Sequence, residues 1–110
     1  MPLVSSRLLV YTENIEFEWD SNKEKSNRNK HGVNFRSAIT VFDDPNARLV
    51  TDAKHSQIEQ REWIIGESDQ GILVIIFTKR RGGRIYRIIS ARRANRQERK
   101  EYEKFKEFPF

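Results

Sequence analysis

"GILVIIFTKRRGGRIYRIISAR", residues 71–92, is the stretch whose reading decides the fold. Residues 71–80 read as one strand, apolar on both alternating sets through Phe77, as a strand covered on its two faces must be. Residues 84–92 carry the β-branched Ile85, Ile88 and Ile89 among Tyr86 and Arg87. "RGG" between them is turn material, so the two segments form a hairpin. Upstream, "SDQG" separates a third strand, "REWIIGE" at 61–67, and "ARLVT" supplies a short strand before it.

Outward from this centre, "IEFEWD" (15–20) alternates apolar with acidic residues. Ile15, Phe17 and Trp19 point one way and Glu16 and Glu18 the other, which is the pattern of a half-buried strand. Asp20 or Ser21 then caps a polar helix, "NKEKSNRNKH", which Gly32 ends. "VNFRSAITVFDDP" predicts a second helix, capped by Asn34, with Phe35, Ala38, Ile39 and Phe42 on its core face and Pro45 at its end. The last helix is "ANRQERKEYEKF", whose apolar stripe is Ala94, Tyr102, Phe105 and Phe108. The order predicts an α+β fold: an antiparallel β-sheet meander with two N-terminal helices and one C-terminal helix. One face would carry the helices and the other would be open to solvent or a ligand. Residues 1–14 are expected to form an N-terminal arm and 15–110 a single domain.

The length of 110 residues suits one core and not two. Cysteine is absent, which excludes disulfides and thiolate metal sites. The longest apolar run, "GILVIIF", has strand length and not membrane length. The first residues lack the pattern of a secretion signal, so a cytoplasmic location is expected and no membrane partner. Net charge is +5 and unevenly spread. Residues 79–110 hold 12 Lys and Arg against 4 Asp and Glu, whereas residues 1–78 hold 9 against 12. A basic C-terminal third on a nearly neutral body points to an anionic partner, nucleic acid first.

Most enzyme classes leave no trace here. The two histidines, His31 and His55, lack metal-ligand spacing, so neither a metal nor another cofactor is expected. Asp43-Asp44 is explained by helix termination before Pro45. Gly82-Gly83 lies in a hairpin turn and not in a phosphate-cradling strand-to-helix loop. The arginines stand out instead. Arg87 alternates with Ile85 and Ile89 on the last strand, so it either pairs with an acid or faces a groove. Its candidate internal partners are Glu18, Asp20 and Glu59. Arginine's planar fork suits a phosphate and the added charge of its transition state. Arg92 and Arg93 lie at the positive end of the last helix. His55 is a candidate to move a proton near neutrality, and a polar loop histidine is the alternative.

"FEWDSNKEKSNRNKHGVNF", "VFDDP", "DAKHSQIEQRE" followed by "IIG", and "RIISARRANRQERKEYE" together resemble the BrnT family of bacterial toxins. The likeness runs from about Phe17 to Glu103. It implies a toxin of a type II toxin–antitoxin module with a compact fold similar to RelE-type ribonucleases. It implies metal-independent RNA cleavage that inhibits translation and growth. The implied partners are an RNA substrate and a cognate ribbon-helix-helix antitoxin, BrnA-like, with operator DNA reached only through the antitoxin complex. Trp19, Lys23, His31, Gly32, Val33 and Phe35 match the N-terminal motif and are taken as structural. His55, Glu59, Arg61, Arg80 and Arg87 become the expected catalytic residues, and Lys79, Arg81, Arg92, Arg93 and Arg96 the RNA-binding ones. Thr78 and Ser90 match the same motifs. "TKRRGGRIY" is longer than the family's usual turn, so Arg80 and Arg81 compete for one position. Two other readings stay open: a nucleic-acid-binding module without catalysis, and a toxin of the same fold acting on another target such as DNA gyrase.

Overall fold

The structure is a computed structural model and describes residues 3–7, 15–50 and 60–107. Six strands form one sheet: β1 (Leu3–Arg7), β2 (Glu16–Asp20), β3 (Arg48–Val50), β4 (Arg61–Ser68), β5 (Gly71–Arg80) and β6 (Ile85–Arg93). Their order is β1-β2-β6-β5-β4-β3. The helices are α1 (Ser21–His31), α2 (Phe35–Ala38), which tightens into a 3₁₀ turn over Ile39–Asp43, and α3 (Arg96–Glu107). The α+β class and the order of elements agree with the sequence. Five residues of the expected arm add β1 as an antiparallel edge to β2.

The expected all-antiparallel sheet needs correction. β3 to β6 are antiparallel, but β2 runs parallel to β6, from Glu16 beside Ile85 to Glu18 beside Arg87. A meander forms where short turns join neighbours, whereas a parallel pair needs a long crossover. Here the chain between β2 and β6 supplies it, and this direction buries Phe17 and Trp19 against α2 and its 3₁₀ extension. Phe17 and Phe42 rings lie 5.0 Å apart, and Trp19 meets Phe35 edge-on at 6.0 Å.

The expectation of helices on one face is also corrected. The first face carries the larger core: Phe17, Trp19, Leu73, Ile75, Phe77, Ile88 and Ala91 packed against Val33, Phe35, Ala38, Ile39 and Val41. The helix α3 crosses to the second face, because only Ala94 and Asn95 link it to β6. There Tyr102 and Ala94 cover Ile65 and Val74. One end of that face is thus roofed, and the described residues along the rest of it, from Arg61 through Thr78 to Arg87, are half-buried.

Local signals set the helix ends. The Asp20 carboxylate accepts from the amides of Asn22 and Lys23 at 2.8 and 3.1 Å, and Gly32 closes α1 at φ +72°. Asn34 accepts from Ser37 N at 2.7 Å. Asn95 and Glu98 form a reciprocal capping box on α3, each bond 2.8 Å. Gly66 lets the 3₁₀ turn sit on β4, since a Cβ there would lie 2.8 Å from Val41 Cγ1 and 2.9 Å from Ala47 Cβ.

Asp44 ties three elements together. It accepts from the amides of Asn46 (2.9 Å) and Glu67 (2.7 Å) and from the Tyr102 hydroxyl. Burial pushes its carboxyl up, but these donors, with Lys106, hold it below the usual range. Burial and the Asp44 hydrogen bond push the Tyr102 hydroxyl well above its usual value. A lowered carboxyl contributes stability above its unfolded pKa, about 4, and loses it as pH falls through the folded value. A raised phenol contributes fully below about pH 10 and loses that as pH rises further. The melting temperature is therefore expected to fall on both flanks, and Asp44→Asn to flatten the acid one. Thermal melts from pH 3 to 11 check this; an unchanged acid flank in Asp44→Asn would refute it.

Candidate functional site

Alternation along the strands sorts the basic residues onto two faces. On β5, Leu73, Ile75 and Phe77 enter the larger core, so Val74, Ile76, Thr78 and Arg80 line the second face. Cross-strand register then sets Arg61 of β4, Thr78 of β5, Arg87 of β6 and Glu18 of β2 in one row on that face. With strands about 4.8 Å apart, the Arg61 and Arg87 backbones lie roughly 10 Å from each other, with Thr78 between them. Arg80 stands beside Ile85 in the adjoining row.

A β-bulge decides which later arginine joins them. Ile76 pairs with Ser90 but Phe77 with Ile88, so Ile89 is the extra residue of β6. Strict alternation would put Arg93 on Arg87's face. The bulge reverses parity and puts Arg92 there, opposite Val74. Arg92 then turns away from the row. It binds Glu98 through two bonds of 2.8 and 2.9 Å, and its guanidinium lies 5.8 Å from the Trp63 ring centre. The Glu98 hydrogen bond raises Arg92 further above its usual value, and in return Arg92 holds the Glu98 carboxyl down. Arg92 thus pins the capping box of α3 to the sheet.

Arg87 Nη1 lies 3.2 Å from Glu18 Oε2, with the side chains 19% and 13% exposed. Of Glu18 and Asp20, the parallel pairing sets Glu18 beside Arg87, and Glu59 lies outside the described residues. A cleft of about 450 Å³ opens beside this pair, lined by Glu18, Arg80, Arg81 and Ile85. Arg81 sits in the β5–β6 turn at φ +52°, followed by Gly82 at +65° and Gly83 at +86°. That run of left-handed residues curls the turn so that Arg80, from the strand, and Arg81, from the turn, both reach one cleft.

Other expected residues stand elsewhere. Lys79 shares the first face, 3.5 Å from Glu62 and above the Tyr86 ring. Arg93 donates to Gln70 O at 2.6 Å, at the opposite end of β6 from the cleft. Arg96 is exposed at the start of α3. His55 and Glu59 lie outside the described residues. The structure therefore brings together Arg61, Arg80, Arg81 and Arg87, and adds Thr78 and Glu18. Glu18 read as the solvent side of an alternating strand and as one of three acids that could pair with Arg87.

Chemically, the cleft end of the second face presents guanidinium forks suited to a phosphodiester, with one carboxylate among them. Among the described residues no group of three His, Cys, Asp or Glu could hold a metal ion, and no helix is long and apolar enough to cross a membrane.

The family model of the ribonuclease toxin BrnT of type II toxin–antitoxin systems matches residues 19–98. Among solved structures, the chain is similar to the crystal structure of the Brucella abortus ribonuclease toxin BrnT. Identity is 28%, the TM-score is 0.55, and the match covers 71% of this chain and 94% of that one. No curated protein matches the sequence.

Proposed function

This chain belongs to the BrnT family of ribonuclease toxins of type II toxin–antitoxin systems, and from that premise we propose that it cleaves RNA without a metal ion and so inhibits translation and growth. The observation that carries this reading is the placement of Arg61, Arg80 and Arg87 on one face of the sheet, with Arg80 lining an open cleft there.

In the proposed reaction a ribose 2′-OH attacks the adjacent phosphorus. Its proton leaves to a base, the P–O5′ bond breaks, and the 5′ oxygen takes up a proton. A 2′,3′-cyclic phosphate and a 5′-OH result. The phosphoryl oxygens gain negative charge as the pentacovalent state forms, and fixed cations that contact them there lower the barrier. Arg61 and Arg87, flanking Thr78, hold the scissile phosphate with Arg80, and Arg81 takes a neighbouring phosphate. His55 or Glu59 moves the protons. Lys79, Arg92, Arg93 and Arg96 add weaker, longer-range attraction for the strand.

The family implies an antitoxin, which we take to be a BrnA-like ribbon-helix-helix protein. Operator DNA would be bound only through the complex with it. The RelE-like character of the fold and a cytoplasmic site of action belong to the same proposal.

Purified toxin, freed of antitoxin and incubated with RNA in EDTA, is expected to leave cyclic-phosphate or 3′-phosphate ends. Folded protein that binds RNA and leaves it intact, with and without ribosomes, would instead indicate a binding module. Intact RNA beside DNA damage in expressing cells would indicate a target such as gyrase.

A further inference from the structure

The carboxylate of Glu18 needs an explanation, because it stands inside a cleft otherwise suited to anions. A carboxylate repels phosphate, so its presence among Arg80, Arg81 and Arg87 works against simple affinity. Its backbone position is imposed by the parallel register of β2 with β6, which sets Glu18 directly beside Arg87. Its side chain then contacts the terminal nitrogen of the arginine at 3.2 Å, with both groups mostly shielded from solvent. Arginine has four rotatable side-chain bonds and loses much rotamer freedom when held. A carboxylate at its far end fixes the guanidinium before substrate arrives.

We propose that Glu18 is a positioning residue: it holds the Arg87 guanidinium in the orientation that meets the scissile phosphate in the transition state. This rests on the ribonuclease reading for what Arg87 contacts. Glu18 touches no reacting atom and acts through Arg87. Its value lies in orientation, since a displacement on the order of 1 Å in a catalytic group can cost about 100-fold in rate. Its charge meanwhile slightly opposes RNA binding. The two effects separate kinetically, because orientation acts on kcat and charge on KM.

The decisive variant is Glu18→Gln, which keeps shape and removes charge. The expected result is a kcat roughly 10- to 100-fold lower with KM unchanged or lower. Glu18→Asp keeps the charge but shortens the reach by one methylene, and it too is expected to lose kcat. A second readout does not depend on cleavage: the ¹⁵N signal of the Arg87 guanidinium, assigned by its loss in Arg87→Lys, should show hindered rotation that Glu18→Gln releases. Unchanged kcat in folded Glu18→Gln, wild-type kcat in Glu18→Asp, or an Arg87 signal indifferent to Glu18→Gln would each overturn the proposal. A wild type that cuts no RNA would sink the ribonuclease reading. The guanidinium signal would then decide whether Glu18 holds Arg87.

Discussion

Arg87→Ala is expected to lower RNA cleavage by about 100- to 1,000-fold and to abolish growth inhibition, while the protein stays folded. The size follows from removing one fixed cation from the charge that develops on the phosphate. The fold should survive because the Arg87 side chain enters neither hydrophobic cluster. Among the described residues its ion-pair partner is Glu18, at 3.2 Å, with the two side chains 19% and 13% exposed. Leaving that mostly shielded carboxylate without its cation costs about 3 kcal/mol, and the cleft beside it lets some water reach it. The double variant Glu18→Gln, Arg87→Ala should recover that stability and none of the activity. Cleavage assays in EDTA, thermal melts and growth curves after induction check both halves. A folded Arg87→Ala protein as toxic as the wild type would remove Arg87 from the site.

The largest expected effect on stability belongs to Asn27→Ala. Asn27 is the buried polar residue of α1, 7% exposed. The pairing of β2 with β6 ends at Arg87, and farther along β6 the Asn27 amide takes the place of a neighbouring strand. Its Oδ1 accepts from Ala91 N at 3.1 Å and its Nδ2 donates to Ala91 O at 2.8 Å and to Val33 O at 3.0 Å. Alanine would leave these buried main-chain groups without that partner, and each such loss costs about 1–3 kcal/mol. The expected total is about 3 kcal/mol, or roughly 10–20 °C in melting temperature for a domain of this size. Asn27→Asp should be no better, because it sets a carboxylate against two carbonyl oxygens. A change under about 4 °C in Asn27→Ala would show that other groups satisfy Ala91.

Much of the fold could be read from short-range patterns. The buried set Ile15, Phe17 and Trp19 follows from alternation, and β5 spans the residues its apolar run marked. Asp20, Gly32 and Asn34 cap where their side-chain chemistry requires. The arginine set was also legible as a group, because an arginine between isoleucines on a strand has few inexpensive explanations. Asn27 was not, since one asparagine in a polar helix looks like any other. Glu18 was legible only as one of three candidate partners, and its selection needed the strand order.

By itself the sequence determined the α+β class, the identity and limits of most strands and helices, and the concentration of cations near the β5–β6 hairpin. Those features depend on residues two to four apart, where alternation, capping and turn chemistry act. Only the tertiary structure decided that β2 joins β6 in parallel, that α3 crosses to the second face, and that a bulge at Ile89 puts Arg92, not Arg93, on Arg87's side. The first joins residues more than sixty positions apart, the second brings Tyr102 onto Ile65 and Val74, and the bulge reverses every side chain beyond it. They are set by which apolar faces can be buried together, a property of the assembled sheet that no local window contains.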